Sequence, residues 1–227
     1  MTLKSRPLVS VLRIGLINYN TGLQLQKMLS NQSIDHHRWE FHNYLILQEH
    51  KPVYTIGIRR KDYIEEDEKR LRKLGAEFYR TNRGGLITFH GPGQLVAYPI
   101  IHLQQFTPSM RWYVSALEEL IIRTCRELGI TEATRTEHTG IWVKDRKICA
   151  IGVHGSRYIT THGIGLNCCT NLKWFEHIVP CGIEGKGVTS LSEQLDRRVT
   201  VEESIEVLLK MFAEVFQCQL CEENNNT

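Results

Sequence analysis

The sequence predicts an α/β protein of the α+β kind, a mixed β-sheet packed with helices, and three observations carry that reading. Short β-branched or aromatic runs cluster in the middle of the chain. Glycine, proline and polar pairs join them at hairpin spacing. Helical periodicity comes in single insertions between strands, not in regular alternation with them. A doubly wound parallel sheet is disfavoured, since neither the Rossmann glycine fingerprint nor a phosphate loop ending in Gly-Lys-Ser/Thr occurs.

Along the chain, Leu25 and Leu29 share a face of a first helix from about Thr21 to Leu29, and the polar stretch Asp35 to His42 connects it onward. Tyr44 to Gln48 and Val53 to Ile56 read as strands punctuated by Pro52 and Gly57, and Glu65 to Leu74 as a charged helix stopped by Gly75. Ala76 to Thr81, Leu86 to His90 and Leu95 to Ile101 are strands broken by Gly84-Gly85 and Gly91-Pro92-Gly93. A long helix spans Pro108 to Leu128, with Thr107 as cap, Pro108 in the first turn and Gly129 as its left-handed stop. Ile141 to Val143 and Lys147 to Val153 form a hairpin, with Tyr158 to Leu166 pairing beside it. A capping box, Thr200 with Glu203, opens the last amphipathic helix. One catalytic domain, residues 1–227, is expected, with 222–227 fraying as a tail.

With 41% hydrophobic and 23% charged residues the chain can bury a sizeable core, which excludes wholesale disorder. A net charge of +3 is far below what a dedicated nucleic-acid binder carries. The longest stretch without formal charge, Gly84 to Met110, holds glycines, prolines, glutamines and two histidines that hydrocarbon would penalise, so no membrane span is expected. Seven cysteines, an odd number without repeating spacing, fit a reducing interior. No acid precedes Asp35, a bias shared with mitochondrial presequences, although a short basic N-terminus reads equally well.

Two segments concentrate chemistry. Arg83 to Gln94 places an arginine, a hydroxyl and an imidazole among glycines that let main-chain N–H groups approach a ligand; a pair of tight turns is the plain alternative. Ile178 to Gly187 sets Cys181 in a glycine-rich loop, whereas Cys125 and Cys149 fall among apolar neighbours as buried cysteines do. A thiol with a pKa of about 8.5 needs a cation nearby to act as thiolate at neutral pH. Lys147, within a mostly apolar strand, is a candidate for that cation, and a hairpin-end lysine facing water is the alternative. Cys218 and Cys221 have the spacing of a redox or zinc pair but lack a second pair, and Cys168-Cys169 would face opposite ways in a strand. No metal site and no Gly-x-Ser-x-Gly elbow is expected.

Arg83-Gly-Gly-x-x-Thr88-x-His90-Gly-Pro-Gly-Gln94, Gly140-Ile-Trp-Val with Lys147-Ile-Cys-Ala-Ile-Gly152, His162-Gly-Ile-Gly-Leu-Asn167 and Pro180-Cys181-Gly182 together resemble the lipoyl(octanoyl) transferase family. Trp174 to Gly182 and Gly187 to Leu191 bring the match close to its animal mitochondrial members, over roughly residues 10–217. The resemblance implies the catalytic-domain fold of biotin and lipoate protein ligases. It implies transfer of octanoyl from octanoyl-acyl carrier protein to a specific lysine of lipoyl carrier domains, among them the glycine-cleavage H protein and the 2-oxoacid dehydrogenase E2 subunits. It further implies a monomer in the mitochondrial matrix that needs no cofactor.

By the same resemblance Cys181 is the nucleophile that becomes a thioester and Lys147 lowers its pKa and moves protons. Substrate-binding stretches carry over onto Arg83, Gly84, Gly85, Leu86, Ile87, Thr88, Phe89 and His90, onto Ala150, Ile151 and Gly152, and onto Gly163, Ile164 and Gly165. Glycines that admit the chain beside the backbone and an apolar tunnel would suit eight carbons, with N–H groups next to Gly152 or Gly182 as oxyanion donors. Gly165 departs from the alanine common in the family, which puts chain-length preference in question. Competing readings are an ATP-dependent lipoate ligase, an amidotransferase moving octanoyl between lipoyl domains, and a noncatalytic lipoyl-domain binding module.

Overall fold

A computed structural model describes residues 6–32, 42–59, 65–179 and 186–222. In chain order its elements are β1 (Leu8–Ile17), α1 (Tyr19–Gln32), β2 (Asn43–His50), β3 (Val53–Ile56), α2 (Glu65–Lys73), β4 (Glu77–Arg80), β5 (Thr88–His90), β6 (Gln94–Ile100) and α3 (Met110–Glu127). Then follow β7 (Ile141–Val143), β8 (Arg146–Ser156), β9 (Ile159–Asn167), β10 (Gly187–Val188), α4 (Leu191–Leu195), α5 (Val201–Phe216) and β11 (Gln219–Glu222). Short 3-10 segments cover Leu103–Gln105 and Leu172–His177.

Alternation along the strands sets the layers. β2 sends Leu45 and Leu47 to one side and Ile46 to the other; β6 does the same with Leu95 and Ala97 against Val96 and Tyr98. Both faces are covered, so these strands read as near-continuous apolar runs. The main sheet has the order β10-β8-β9-β6-β2-β1-β11, with β7 beside β8. β1 runs parallel to β2 and β11, and β10 parallel to β8; the other pairs are antiparallel, which makes the sheet mixed as expected. On one face α3 and α5 bury Leu117, Ile121, Leu208 and Phe212 against the strands. A smaller sheet, β4-β3-β5, carries its own cluster of Tyr54, Ile56, Phe78, Ile87 and Phe89, closed by Phe175.

Several expectations are corrected. The long helix starts later than Pro108, because Ser109 and not Thr107 is the cap: its side chain accepts the Trp112 N–H at 3.2 Å. Cys218 to Cys221 lies beyond the last helix. α5 stops at Phe216 with Gln217 in a left-handed conformation, and the following residues pair with β1. Glu222, expected in a fraying tail, is the last residue of that strand and takes an ion pair from Arg13 at 2.7 Å. The acid-poor N-terminal stretch holds β1 and α1, integral parts of the fold. The caps of α5 and the stops at Gly75 and Gly129 stand where expected, both glycines at positive φ. Most of the Asp35 to His42 connector, all but His42, lies outside the described residues.

Candidate active site

Chain topology brings two distant motifs together residue for residue. Ala150 pairs with Gly165, Ile151 with Ile164 and Gly152 with Gly163 across β8 and β9. With period-two alternation the small residues lie on the face opposite the helices, while Ile164 packs in the helix-side core with Ile151 against it. The Arg83–Leu86 loop folds over this floor, held by the Gly84 N–H donating to the Val153 carbonyl at 2.9 Å. Between floor and loop lies a cavity of about 170 Å³ lined by Arg83, Gly85, Leu86, Thr88 and His90, by all six residues of the paired motifs, and by Thr139 and Lys147.

Of the remaining motif residues, Gly84 ties the loop to β8, and Ile87 and Phe89 point into the small sheet's apolar cluster, where Phe89 stacks on Trp174 at 5.1 Å. They back the cavity wall without lining it. The glycines of the floor admit protein as well as cavity. A Cβ on Gly152 would meet Arg83 Cδ at 2.9 Å, one on Gly163 would run into the Ala97 carbonyl, and one on Gly165 would meet Gln94 Oε1 at 2.9 Å. An alanine at 165 therefore needs Gln94 to shift, a physical content for that departure from the family. Nor is the lining a purely aliphatic tunnel, since Tyr19, Tyr98, His90 and His162 share it with Leu86, Ile151 and Ile164.

Lys147 does not face water: it is 5% exposed. β8 carries one extra residue here, with Ile141 opposite Cys149 but Trp142 opposite Lys147, and such a bulge re-aims a side chain. The ammonium sits 4.7 Å from the centre of the Trp142 ring and donates to the Thr139 carbonyl at 3.2 Å. Lys186 approaches the same ring at 5.6 Å and bonds Asp145 at 2.9 Å. β10 runs beside Lys147, the Thr189 N–H donating to its carbonyl at 2.9 Å. Cys181 and Gly182 lie outside the described residues, in the 180–185 interval between Val179 and Lys186.

A buried polar network, only partly visible in the motifs, backs the cavity. Gln94 Nε2 donates to the Phe89 carbonyl at 3.2 Å and to Asn167 Oδ1 at 2.8 Å, leaving its Oε1 as acceptor for His90 Nδ1 at 2.6 Å. His90 therefore carries its proton on Nδ1. Burial pushes its pKa down to about 3, helped by the charge of neighbouring His50, while the Gln94 bond opposes the shift. His162 falls to about 3 and His50 to about 4, burial leading in both. Tyr19 rises to about 12 and Tyr98 well above its ordinary value, again through burial. These rings are neutral near pH 7. Arg83 brings a fixed charge: it donates to the carbonyls of Gly84, Thr55 and Leu86 and to the Thr55 hydroxyl, all within 2.9 Å. His50, Tyr19, Tyr98 and His162 were not singled out as site residues by sequence reasoning; the usable signal was polar side chains inside apolar strand runs.

Thiols divide by environment. Burial raises Cys125, Cys168 and Cys218 to about 12, and Cys149 well above the ordinary value despite the pull of Lys147. Cys169 and Cys221 do not line the cavity. Among the described residues no group of three or more His, Cys, Asp or Glu could hold a metal ion, and no helix is long and apolar enough to cross a membrane.

Residues 18–213 match the lipoyl protein ligase A/B catalytic domain family. The chain is 53% identical over 212 residues, 93% of its length and 94% of the relative's, to the mitochondrial octanoyl-[acyl-carrier-protein]:protein N-octanoyltransferase of Danio rerio. The bipartite lipoate protein ligase of Thermoplasma acidophilum superposes with a TM-score of 0.71 at 16% identity, covering 96% of this chain and 87% of that one. Biotin protein ligase of Aquifex aeolicus superposes at 0.50 and 11% identity, covering 92% and 69%. The two likenesses show the shared fold.

Proposed function

The chain belongs to the lipoyl protein ligase A/B catalytic domain family, and from that premise we propose that it is a mitochondrial acyltransferase taking octanoyl from octanoyl-acyl carrier protein and placing it on a specific lysine of lipoyl carrier domains. The donor and the compartment follow the name of the zebrafish relative, with which this chain shares 53% identity. The acceptors are the glycine-cleavage H protein and E2 subunits, and the enzyme works as a monomer.

Cys181 is the nucleophile. Its thiolate attacks the donor thioester carbonyl, the new C–S bond forms as the carrier's sulfur leaves and takes a proton from the Lys147 ammonium, and the acyl-enzyme keeps the octanoyl group activated without ATP. An acceptor lysine then attacks the same carbonyl, the amide forms and the Cys181 sulfur is released. Lys147 favours the thiolate by charge and, left neutral by the first step, takes the proton that the acceptor amine loses, which restores the ammonium beside the released thiolate. Arg83, Leu86 and the Ala150–Gly152 and Gly163–Gly165 pair hold the acyl chain, and the Gly152 N–H is the oxyanion donor.

One observation carries this reading: a lysine withdrawn from water lines a cavity built from the Arg83–His90 loop and the β8–β9 hairpin. Two others support it. A cavity of about 150 Å³ holds benzene, so the 170 Å³ here has room for an acyl chain of comparable bulk. Four of the other cysteines are held as inert thiols by burial. The test is transfer to a purified lipoyl domain, read by intact mass. Octanoyl-acyl carrier protein alone should suffice; transfer that needs free octanoate and ATP would favour the ligase instead.

A further inference from the structure

We infer that His162 is a chain-length gate, a buried ring that closes the methyl end of the acyl cavity and separates it from a second, basic cavity. The inference rests on the octanoyl-transfer reading. His162 borders both spaces, the acyl cavity on one side and on the other a cavity of about 580 Å³ whose lining includes Lys27, His154 and Arg157.

Position along the floor gives the length. From the Ala150–Gly165 pair to the Val153–His162 pair β8 advances three residues, about 10 Å at roughly 3.3 Å each. The seven C–C bonds of an extended octanoyl chain advance about 1.3 Å each and span about 9 Å. With its carbonyl over the Ala150–Gly165 pair, the methyl group arrives at the imidazole.

The ring is held for that purpose. His162 adopts φ +58°, a conformation that a glycine would accept without strain and a histidine does not prefer. Gln26 Oε1 on α1 accepts its N–H at 2.6 Å, ring Nε2 meets Asn82 Oδ1 at 2.8 Å, and Tyr98 lies edge-on at 6.1 Å. Only 4% of the residue is exposed. Beyond it a longer chain would press methylenes among cations and amides and forfeit the gain of burial. The gate therefore selects eight carbons by length and by the polarity behind it.

The test compares acylation of the full chain by octanoyl- and decanoyl-acyl carrier protein. Wild type should prefer octanoyl. His162→Gly keeps the positive φ and removes the ring, and should raise the decanoyl-to-octanoyl ratio of kcat/KM about tenfold, the worth of two methylenes. Asn82→Ala, which frees the ring without deleting it, should shift the ratio less and in the same direction, and decides alone if the glycine variant does not fold. A purely structural role would slow both donors equally. A ratio within about twofold of wild type, in variants with cooperative thermal unfolding, overturns the gate while octanoyl transfer persists. So does a wild type that uses both donors equally. No octanoyl transfer by wild type overturns the underlying reading, and the gate with it.

Discussion

The two faces of the β8–β9 hairpin are made from alternate residues of the same strands and could hardly differ more. Toward α3 and α5 lie Cys149, Ile164 and Leu166, in a core where a thiol two residues from Lys147 is driven well above its ordinary pKa. Toward the small sheet lie Ala150, Gly152, Gly163 and Gly165, and the bulge at Ile148 brings Lys147 to the same cavity. Proximity to a cation in sequence therefore does not activate a cysteine. The face it occupies, and what burial costs its charged form, decides.

The sharpest break of that comparison is a pair of variants. Lys147→Ala should slow acylation by about 10² to 10⁴, the range for a positioned proton-transfer group. Cys149→Ala, on the helix face, should leave acylation unchanged and cost about 1 kcal/mol of stability. Single-turnover acylation and thermal unfolding on both proteins decide, and equal acylation rates for Lys147→Ala and wild type would remove the lysine from the mechanism.

A second pair probes packing. Gly152→Ala drives a methyl group into Arg83 Cδ at 2.9 Å and the Gly84 carbonyl at 3.1 Å. It should cost about 1–3 kcal/mol and also lower kcat/KM, because the loop that closes the cavity moves. Ile121→Val, buried in α3 on the other side, should cost about 0.5–1.5 kcal/mol with acylation intact. Urea melts and donor kinetics read both; a Gly152→Ala enzyme with wild-type kinetics would dissociate the floor from the chemistry.

A pH dependence probes the buried rings. His90 and His162 have folded pKa values of about 3 and His50 about 4, all below the unfolded 6.5. The unfolded chain therefore binds more protons than the folded one below pH 6.5. Stability from keeping these rings neutral is complete above 6.5 and falls as pH drops toward 4 and then 3. At pH 5.5 the loss should approach about 1.4 kcal/mol per histidine, readable as a lower urea midpoint than at pH 7.5. A midpoint that does not fall would mean the rings are already charged or solvated.

Much of the fold was legible because local signals agreed with it. Val53–Ile56 is a strand with the bounds its flanking Pro52 and Gly57 indicate, and Thr200 caps α5 as its spacing with Glu203 suggests. β1 and β11 were not, since β11 exists only through parallel pairing with a strand some two hundred residues away, and nothing local in Gln219–Glu222 announces it. The start of α3 was misplaced because Thr107 and Ser109 are both good caps and only one meets the Trp112 amide. In the site, residue types were readable but pairing was not: that Ala150–Gly152 and Gly163–Gly165 are neighbours follows from a register that sequence spacing does not state. The burial of Lys147 hides behind a one-residue bulge, and the histidine network behind contacts between β2, β5, β6 and β9.

The central claim is that one sulfur, at Cys181, carries the acyl group. Incubation with octanoyl-acyl carrier protein, followed by peptide mass analysis, tests it most directly. An octanoyl increment confined to the peptide holding Cys181, removed by hydroxylamine and absent in Cys181→Ala, is the expected result. An increment on another cysteine, or continued transfer to a lipoyl domain by Cys181→Ala, would contradict it.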